Sequence, residues 1–255
     1  MTQFSAHIDS LFTEVPFLER PKKAYEAGFK GVEFIMPSDI DPATLGDAVG
    51  YKGMKTTLIE MAPEESVLAF EEDTREDFIE ALSILLEKAD FLQCKRILIP
   101  GAIVSGSEED FDEIMDDFIA SLAEAAPLAK EYGVQLLLAF RNADETPDFF
   151  PSSTLEVMQC LDELDDDETF AYLFDVYEAQ ITEGALSNTI ESLIENISHV
   201  RIAGVPLGNE PDIGEVNYLY LLSLLDSHGY QGYVGANYTP RADTTAGMSW
   251  INAYR

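Results

Sequence analysis

Short apolar segments rich in β-branched and aromatic residues recur along the chain, and each is followed by a longer, more polar segment. In chain order the apolar segments read FSAHI, GVEFIM, KTTLI, RILIP, VQLLLA, AYLFD, HVRIAG and YVGANY. Such runs predict buried strands, and the amphipathic segments between them predict helices. The pattern therefore predicts eight βα units.

Residues suited to helix ends lie at the borders of the predicted helices. A hydroxyl residue followed three positions later by an acidic residue predicts helix starts at Thr74, Ser107 and Ser153. Gly28 and Gly133 follow amphipathic stretches, so they predict helix ends at which the backbone turns with a positive φ.

The order of these elements predicts the fold. Near-continuous apolar strands that alternate with helices are typical of a parallel sheet covered on its outer face. Eight such units in 255 residues predict a closed (β/α)8 barrel, a TIM barrel, as one domain over residues 1–255. In this fold the functional residues lie at the carboxyl ends of the strands, where the βα loops gather.

The composition of the chain excludes some classes of binding partner. The chain has 15 Lys and Arg against 48 Asp and Glu, a formal charge of -33, which repels nucleic acid and anionic membranes. The only cysteines are Cys94 and Cys160, the N-terminus lacks a signal pattern, and no apolar run approaches the ~20 residues of a membrane span. We therefore expect a cytoplasmic protein without nucleic-acid or membrane partners. A homo-oligomer is compatible with the sequence, although nothing in it locates an interface.

Basic residues are scarce in the second half of the chain. Downstream of Lys130 they are Arg141, Arg201, Arg241 and Arg255. Alternation along the strands places Arg141 and Arg201 on faces that point toward the barrel axis. A buried arginine there needs an anionic partner, either a carboxylate of the protein or a bound anion.

Several segments in register carry a family resemblance. They are FTEVPFLE with AGFKGVEF, then FDVYEAQITEG, HVRIAGVPLGNEPDIGEVNY and GYVGANYTP. In order and spacing the chain resembles the hydroxypyruvate isomerase branch of the xylose isomerase-like barrels nearly end to end. The resemblance implies an aldose–ketose type isomerisation of a small hydroxy-carbonyl acid, assisted by one divalent metal.

The chain departs from this family at the implied metal site. The resemblance assigns the metal to a glutamate ending strand five, an aspartate ending strand six, a glutamine in strand seven and a glutamate ending strand eight. Here those positions are Ala139, Asp175, Arg201 and Asn237. Hard divalent cations require several oxygen ligands, and a guanidinium places a fixed positive charge where the ion would lie. The sequence therefore predicts no metal and no other cofactor.

The implied proton chemistry is altered as well. The two family glutamates are its candidate acid and base, and neither Ala139 nor Asn237 can accept a proton at neutral pH. The carboxylates that we expect near the barrel mouth are Asp175, Glu178 and Glu60, so any surviving proton transfer would use one of these three.

The arginines have alternative roles. For Arg201 we favour an internal ion pair with Asp175 over ligand binding, because an unpaired carboxylate in the barrel mouth would be costly. For Arg141 two roles stay open. It pairs with Glu178 or Glu60, or its planar fork of donors binds a small carboxylate or phosphate.

His7 and Asn237 complete the candidate ligand-binding set, although a lone histidine on a strand is more often a packed, hydrogen-bonded residue. Two functional hypotheses follow. In the first, the barrel has lost the metal-dependent isomerase activity and binds a small anionic metabolite. In the second, it is a metal-independent isomerase or epimerase that acts on a small hydroxy-keto acid or sugar.

Overall fold

A closed barrel of eight parallel strands forms the centre of the computed structural model, which describes residues 2–104 and 108–254, with side chains described outside 108–110. The strands are β1 (Gln3–His7), β2 (Gly31–Ile35), β3 (Lys55–Glu60), β4 (Arg96–Leu98), β5 (Gln135–Leu138), β6 (Phe170–Asp175), β7 (Ile197–Ile202) and β8 (Tyr233–Ala236). Strand β8 pairs with β1 and closes the barrel. The predicted (β/α)8 barrel is therefore confirmed.

Helices connect the strands and cover the outside of the barrel. They are α1 (Arg20–Ala27), α2 (Pro42–Val49), α3 (Pro63–Ser66), α4 (Arg75–Phe91), α5 (Glu108–Tyr132), α6 (Thr154–Leu164), α7 (Val176–Thr182), α8 (Leu186–Leu193) and α9 (Tyr218–Ser227). A 3-10 segment, Met248–Tyr254, follows β8. The main apolar core lies between these helices and the outer faces of the strands.

The predicted helix ends are mostly confirmed. Gly28 and Gly133 have φ values of 101° and 60°, and the Glu156 amide donates to Ser153 Oγ over 3.3 Å at the start of α6. Thr74 does precede α4, but the predicted capping bond is wrong, because its hydroxyl donates to the Leu68 carbonyl over 2.8 Å instead. The predicted start at Ser107 lies outside the described residues.

The interior of the barrel is divided into an apolar half and a polar half. The apolar half is a cluster of buried side chains from β3 to β6, namely Leu58, Leu98, Leu137, Ala171 and Leu173. The polar half comes from β1, β2, β3 and β7, and its buried members are Ser5, His7, Glu33, Glu60, His199 and Arg201. Buried polar groups persist in a barrel only if they are paired, so this half requires an internal network.

Gly235 in β8 makes room for the polar half. A Cβ at this position would lie 2.6 Å from Glu33 Oε1, well inside van der Waals contact. The absence of a side chain therefore allows the Glu33 carboxylate to approach the backbone of β8, as glycine in a strand often does.

A two-stranded antiparallel sheet lies beside the barrel mouth. Ala102–Ile103 pairs with Phe149–Phe150, which joins the loop after β4 to the loop after β5. This pairing positions the Phe149 ring next to Arg141, whose Cζ lies 5.8 Å from the ring centroid. Within the described residues, no helix has the length and apolar character needed to cross a membrane.

Candidate active site at the barrel mouth

A cavity of about 390 Å³ opens at the carboxyl ends of the barrel strands. Its size falls within the range of small-molecule sites. Its lining combines ionisable groups with apolar ones and includes Ser10, Glu60, Leu98, Ala139, Arg141, Leu173, Asp175, Tyr177, Glu178, Arg201, Ala203, Leu207 and Asn237. Six of the seven sequence-predicted site residues meet here, namely Glu60, Arg141, Asp175, Glu178, Arg201 and Asn237.

Arg201 forms the centre of a buried charge network below the cavity. Its Nε donates to Glu33 Oε1 over 2.8 Å, and its Nη2 donates to Glu60 Oε1. The side chain of Glu33 is completely buried, and those of Arg201 and Glu60 are 7% and 9% exposed. One guanidinium thus bridges two carboxylates that would otherwise face each other inside the barrel.

Two histidines and a serine complete the network. His199 Nε2 donates to Glu33 Oε2 over 2.7 Å, and the Ser5 hydroxyl donates to the same oxygen over 2.9 Å. His7 Nε2 lies 2.6 Å from Glu60 Oε1. Nδ1 of His199 is buried and has no hydrogen-bond partner among the described atoms. This agrees with a neutral ring that carries its hydrogen on Nε2, because Nδ1 then has no hydrogen to donate.

The network fixes the charges of its members. Burial alone would raise the pKa of Glu33 and of Glu60, but the Arg201 guanidinium holds both well below the usual range of a glutamate. Burial lowers the pKa of His199 despite the neighbouring Glu33. The pKa of Arg201 is raised, since Glu60 and Glu33 outweigh the effect of its burial. We therefore assign two carboxylates and one guanidinium as ionised, with His199 neutral.

The predicted ion pair between Arg201 and Asp175 is wrong. The two residues are neighbours in the register of β6 and β7, but within the described residues the ion pairs of Arg201 are those with Glu33 and Glu60. Asp175 instead caps α7, where its Oδ1 accepts hydrogen bonds from the Tyr177 amide over 2.9 Å and the Glu178 amide over 3.4 Å. Burial raises the pKa of Asp175, although Arg201 nearby opposes the shift.

Glu178 lies in the first turn of α7 and is held by Asn142. The Asn142 amide donates to Glu178 Oε2 over 2.9 Å, and the Asn142 side-chain nitrogen donates to the same oxygen. Burial, and then the adjacent Asp175, raise the pKa of Glu178 to about 7, against the opposing effect of Asn142. This side chain therefore changes its protonation state near neutral pH, as a general acid or base would need to do.

Arg141 is exposed at the rim of the cavity. Of the two roles left open by the sequence, an ion pair with Glu178 or Glu60 is not present, because no ion pair between described residues includes Arg141. The neighbouring Phe149 ring offers a cation–π contact that orients the guanidinium. Because its guanidinium makes no hydrogen bond to another described residue, its fork of donors is available to a bound ligand.

The remaining candidate residues lie in the cavity, in the charge network around Arg201, or in both. Asn237 lines the cavity, and its Oδ1 accepts a hydrogen bond of 3.0 Å from the Ser10 hydroxyl. Glu60 also reaches the cavity, but Arg201 and His7 already bind it. His7 lies below the cavity and is not one of its lining residues, so a role in direct ligand contact has no geometric support.

Sequence reasoning missed two residues of this region, Glu33 and Asn142. Glu33 lies between the buried residues Val32 and Phe34 of β2, so a charged residue in an apolar strand could have indicated an inward-facing carboxylate. For Asn142, which follows Arg141 in the loop after β5, no pattern in the sequence indicated the contact with Glu178.

Comparisons with known proteins support the same family across the whole chain. Residues 21–254 match the family described as xylose isomerase-like TIM barrel. The chain belongs to this family. The 2-oxo-tetronate isomerase of Pectobacterium atrosepticum is 33% identical to it, with 100% of this chain and 98% of the relative aligned. The hydroxypyruvate isomerase of Escherichia coli is 30% identical, with 100% of both chains aligned.

A solved structure superposes closely on this chain. A crystal structure described as an AP endonuclease, family 2, from Brucella melitensis has a TM-score of 0.92 and 34% identity, with 100% of both chains covered. The chain is thus similar over its full length to proteins named 2-oxo-tetronate isomerase and hydroxypyruvate isomerase, and its cavity occupies the end of the barrel where this fold places its active sites.

Proposed function

We propose that this chain binds a small carboxylate at its barrel mouth and lacks the metal-assisted isomerisation that the family resemblance implies. The position of Arg201 carries this proposal. Its guanidinium is bound to Glu33 and Glu60 in the part of the barrel to which the resemblance assigns a metal ligand. A cation that is fixed there by two carboxylates repels a divalent ion.

The residues present do not fit a divalent metal. Of the four implied ligand positions, Asp175 alone retains a carboxylate, and one of its oxygens already accepts two backbone amides. Ala139 offers no ligand atom, and Asn237 offers only a neutral amide. Within the described residues, no group of three or more His, Cys, Asp or Glu side chains could hold a metal ion. Magnesium, calcium and manganese sites need more oxygen ligands than this.

Arg141 supports anion binding in the same cavity. It is an exposed cation at the rim and takes part in no ion pair between described residues. The chain as a whole carries a charge of -33, so such a cation stands out against an acidic surface. A planar guanidinium binds a carboxylate through two parallel hydrogen bonds. Once protonated, Glu178 can donate a further hydrogen bond to such a ligand, and its pKa of about 7 makes this form available at neutral pH.

The acidic charge also bears on the relative described as an AP endonuclease. A chain with 48 acidic and 15 basic residues would be repelled by a phosphate backbone. We therefore infer that nucleic acid is not its ligand.

Replacement of Arg141 by glutamine should remove carboxylate binding. We expect glycerate or pyruvate to stabilise the wild-type protein against heat, and this stabilisation should vanish in Arg141→Gln, since the bidentate contact is lost. The melting temperature of each protein, measured with and without glycerate or pyruvate, gives this stabilisation. Arg241→Gln is a matched control, because it removes the same charge at the same end of the barrel, where Arg241 pairs with Glu210 and Asp212.

The pH dependence provides an independent check of this site. Ionisation of Glu178 places a negative charge next to the bound carboxylate, so affinity should fall as pH rises through about 7. An affinity that is unchanged between pH 6 and pH 8, or equal stabilisation of wild type and Arg141→Gln, would contradict the proposed site.

The metal-independent isomerase remains the second candidate, and the environment of Glu178 favours it. A carboxyl group with a pKa of about 7 in a cavity is suited to general acid–base catalysis. Such catalysis would appear as proton exchange from hydroxypyruvate that persists in the presence of a chelator and is lost in Glu178→Gln.

A further inference from the structure

We infer that the ligand of the barrel mouth is a zwitterion, a small amino acid whose carboxylate contacts Arg141 and whose ammonium group lies against the carboxylates of the cavity. This inference rests on the proposed carboxylate site at Arg141 and assigns the class of its ligand. Two observations carry it, an excess of acidic groups around the cavity and carboxylate oxygens that have no hydrogen-bond partner in the described structure.

Acidic groups outnumber basic ones around the cavity. Those that line it, or that bind a lining residue, are the carboxyl groups of Glu33, Glu60, Glu145, Asp175 and Glu178 and the guanidinium groups of Arg141 and Arg201. His7, next to Glu60, adds at most one positive charge, so the five carboxyl groups exceed the cations by at least two. Uncompensated charges are costly in a partly buried site, and a bound ammonium group would reduce this cost.

Two of these carboxylates present an oxygen without a partner to the cavity. Glu60 Oε1 is bound by Arg201 and His7, whereas Oε2 makes no hydrogen bond to another described residue. The Glu60 side chain is 9% exposed, so Oε2 needs a donor within the cavity. Asp175 Oδ1 likewise takes both amide bonds of α7 and leaves Oδ2 free.

The floor of the cavity therefore has a defined set of polar atoms. Glu60 Oε2 and Asp175 Oδ2 are acceptors, and Nη1 of Arg201 is a donor, because Nε and Nη2 already bind Glu33 and Glu60. Charge-assisted hydrogen bonds from an ammonium group suit the two acceptors. A ligand hydroxyl or carboxylate oxygen suits the donor.

Glu178 connects the floor to Arg141. Its Oε2 accepts the amide of Asn142, the residue that follows Arg141, over 2.9 Å. The Arg141 guanidinium is near enough to oppose the rise in the pKa of both Asp175 and Glu178. One cation and two carboxyl groups thus share one side of the cavity. An α-amino acid, which carries both of its charges on one carbon atom, suits such an arrangement.

The protonation of Glu178 gives the two classes of ligand opposite dependences on pH. The charged or titratable groups around this side chain are Asp175, Tyr177, Arg141 and Glu145. Its pKa is raised to about 7 by burial and then by Asp175. An ammonium group beside Glu178 favours the ionised form, whereas a ligand with only a carboxylate favours the protonated form. Preference for an amino acid should therefore increase as pH rises through about 7.

Matched pairs of ligands test this inference. L-Serine and L-glycerate differ only in an ammonium group that replaces a hydroxyl, as do L-alanine and L-lactate. We expect serine to bind at least tenfold more tightly than glycerate at pH 8, and this ratio should be smaller at pH 6. Ethanolamine, which lacks the carboxylate, should bind at least tenfold more weakly than serine. Isothermal titration calorimetry in the presence of a chelator measures each ligand without a contribution from bound metal ions.

Substitutions of the carboxyl groups locate the ammonium group. Glu178→Gln and Asp175→Asn each remove one negative charge, and Asp175→Asn keeps the oxygen that caps α7. Each should lower the ratio of serine affinity to glycerate affinity severalfold at pH 8. Glu163→Gln, at an exposed position on α6, removes the same charge away from the cavity and should leave the ratio unchanged.

The outcomes separate this inference from the proposed function. Glycerate binding that equals or exceeds serine binding at pH 8, but is lost in Arg141→Gln, would overturn the zwitterion and leave the carboxylate site intact. A preference for serine that persists in both Glu178→Gln and Asp175→Asn would also overturn the zwitterion alone. Binding that is indifferent to Arg141→Gln, or no binding of serine, glycerate, alanine or lactate at about 10 mM, would overturn both.

Discussion

Replacement of Arg201 by glutamine should lower the free energy of unfolding by about 3–5 kcal/mol near pH 7. The substitution restores the residue that the family resemblance assigns to this position, yet it removes the only guanidinium that bridges Glu33 and Glu60 in the described structure. Two buried carboxylates then lack their counter-charge, and they must either remain ionised at high cost or take up protons. Urea denaturation at equilibrium measures the loss.

The dependence on pH identifies the cause of this loss. In the wild type the pKa values of Glu33 and Glu60 are depressed, so their contribution to stability is present above the unfolded-state value and is lost as pH falls through the folded-state values. In Arg201→Gln these pKa values should rise, and the loss should be larger at pH 7 than at pH 5. Lys23→Gln, which breaks only the exposed ion pair of Lys23 with Glu26, is the control and should cost far less than Arg201→Gln. A loss below about 1 kcal/mol for Arg201→Gln, or one independent of pH, would contradict the network.

Replacement of Gly235 by alanine should destabilise the protein by about 3 kcal/mol, at the upper end of the usual cost of overpacking. The added Cβ would lie 2.6 Å from Glu33 Oε1, so the carboxylate would have to move. Movement weakens its hydrogen bonds with Arg201, His199 and Ser5 at the same time. Chemical denaturation of the single variant measures the cost.

Two further variants attribute this cost to the carboxylate. Gly53→Ala is the control, because its Cβ would meet nothing within 4 Å and only the positive φ of 79° adds about 1–2 kcal/mol. In a Glu33→Ala background the Gly235→Ala substitution should cost much less, since the clash is removed, and a double-mutant cycle measures this coupling. Equal costs of Gly235→Ala in both backgrounds would exclude the proposed clash.

The barrel and the orientation of its strands could be predicted from the sequence because both depend on local patterns. Alternation placed Arg201 and Asp175 on inward faces, and the buried Arg201 does have the anionic partners that its desolvation demands. The identity of those partners could not be predicted. Alternation specifies a face, whereas a long guanidinium side chain reaches across the barrel and can choose among several carboxylates.

Asp175 illustrates why the predicted pair was plausible and still wrong. Register makes it the neighbour of Arg201, but it is also the residue that precedes α7, and the free amides of that first turn bind its side chain. The competing capping role was visible in the sequence, because an aspartate directly before a helix is a typical cap. The contact of Asn142 with Glu178 depends on the loop after β5, whose path is set by pairing of Phe149–Phe150 with Ala102–Ile103. No local pattern specifies such a tertiary pairing.

The proposed loss of metal-assisted chemistry depends on a few positions in a barrel that otherwise keeps the fold of its family. Arg201 is held by Glu33 and Glu60, and Gly235 gives Glu33 its space, so the network forms a self-consistent unit that spans β2, β3, β7 and β8. Replacement of Arg201 by glutamine would therefore destabilise the fold, and by itself it would not restore the set of metal ligands. Within the described residues, Arg141 and Glu178 at the rim form no hydrogen bond or ion pair with Arg201, Glu33 or Glu60, so the rim remains available for a bound acid.

Proton exchange from hydroxypyruvate in deuterated water tests the central claim most directly. Nuclear magnetic resonance follows deuterium incorporation at C3 with Mg²⁺, Mn²⁺ or Co²⁺ added in turn, and with a chelator, against samples without protein. We expect exchange at the rate of the protein-free samples under every metal condition, because Arg201 occupies a position that the family resemblance assigns to a metal ligand and the two implied glutamates are Ala139 and Asn237. Metal-stimulated exchange that the chelator abolishes would contradict it.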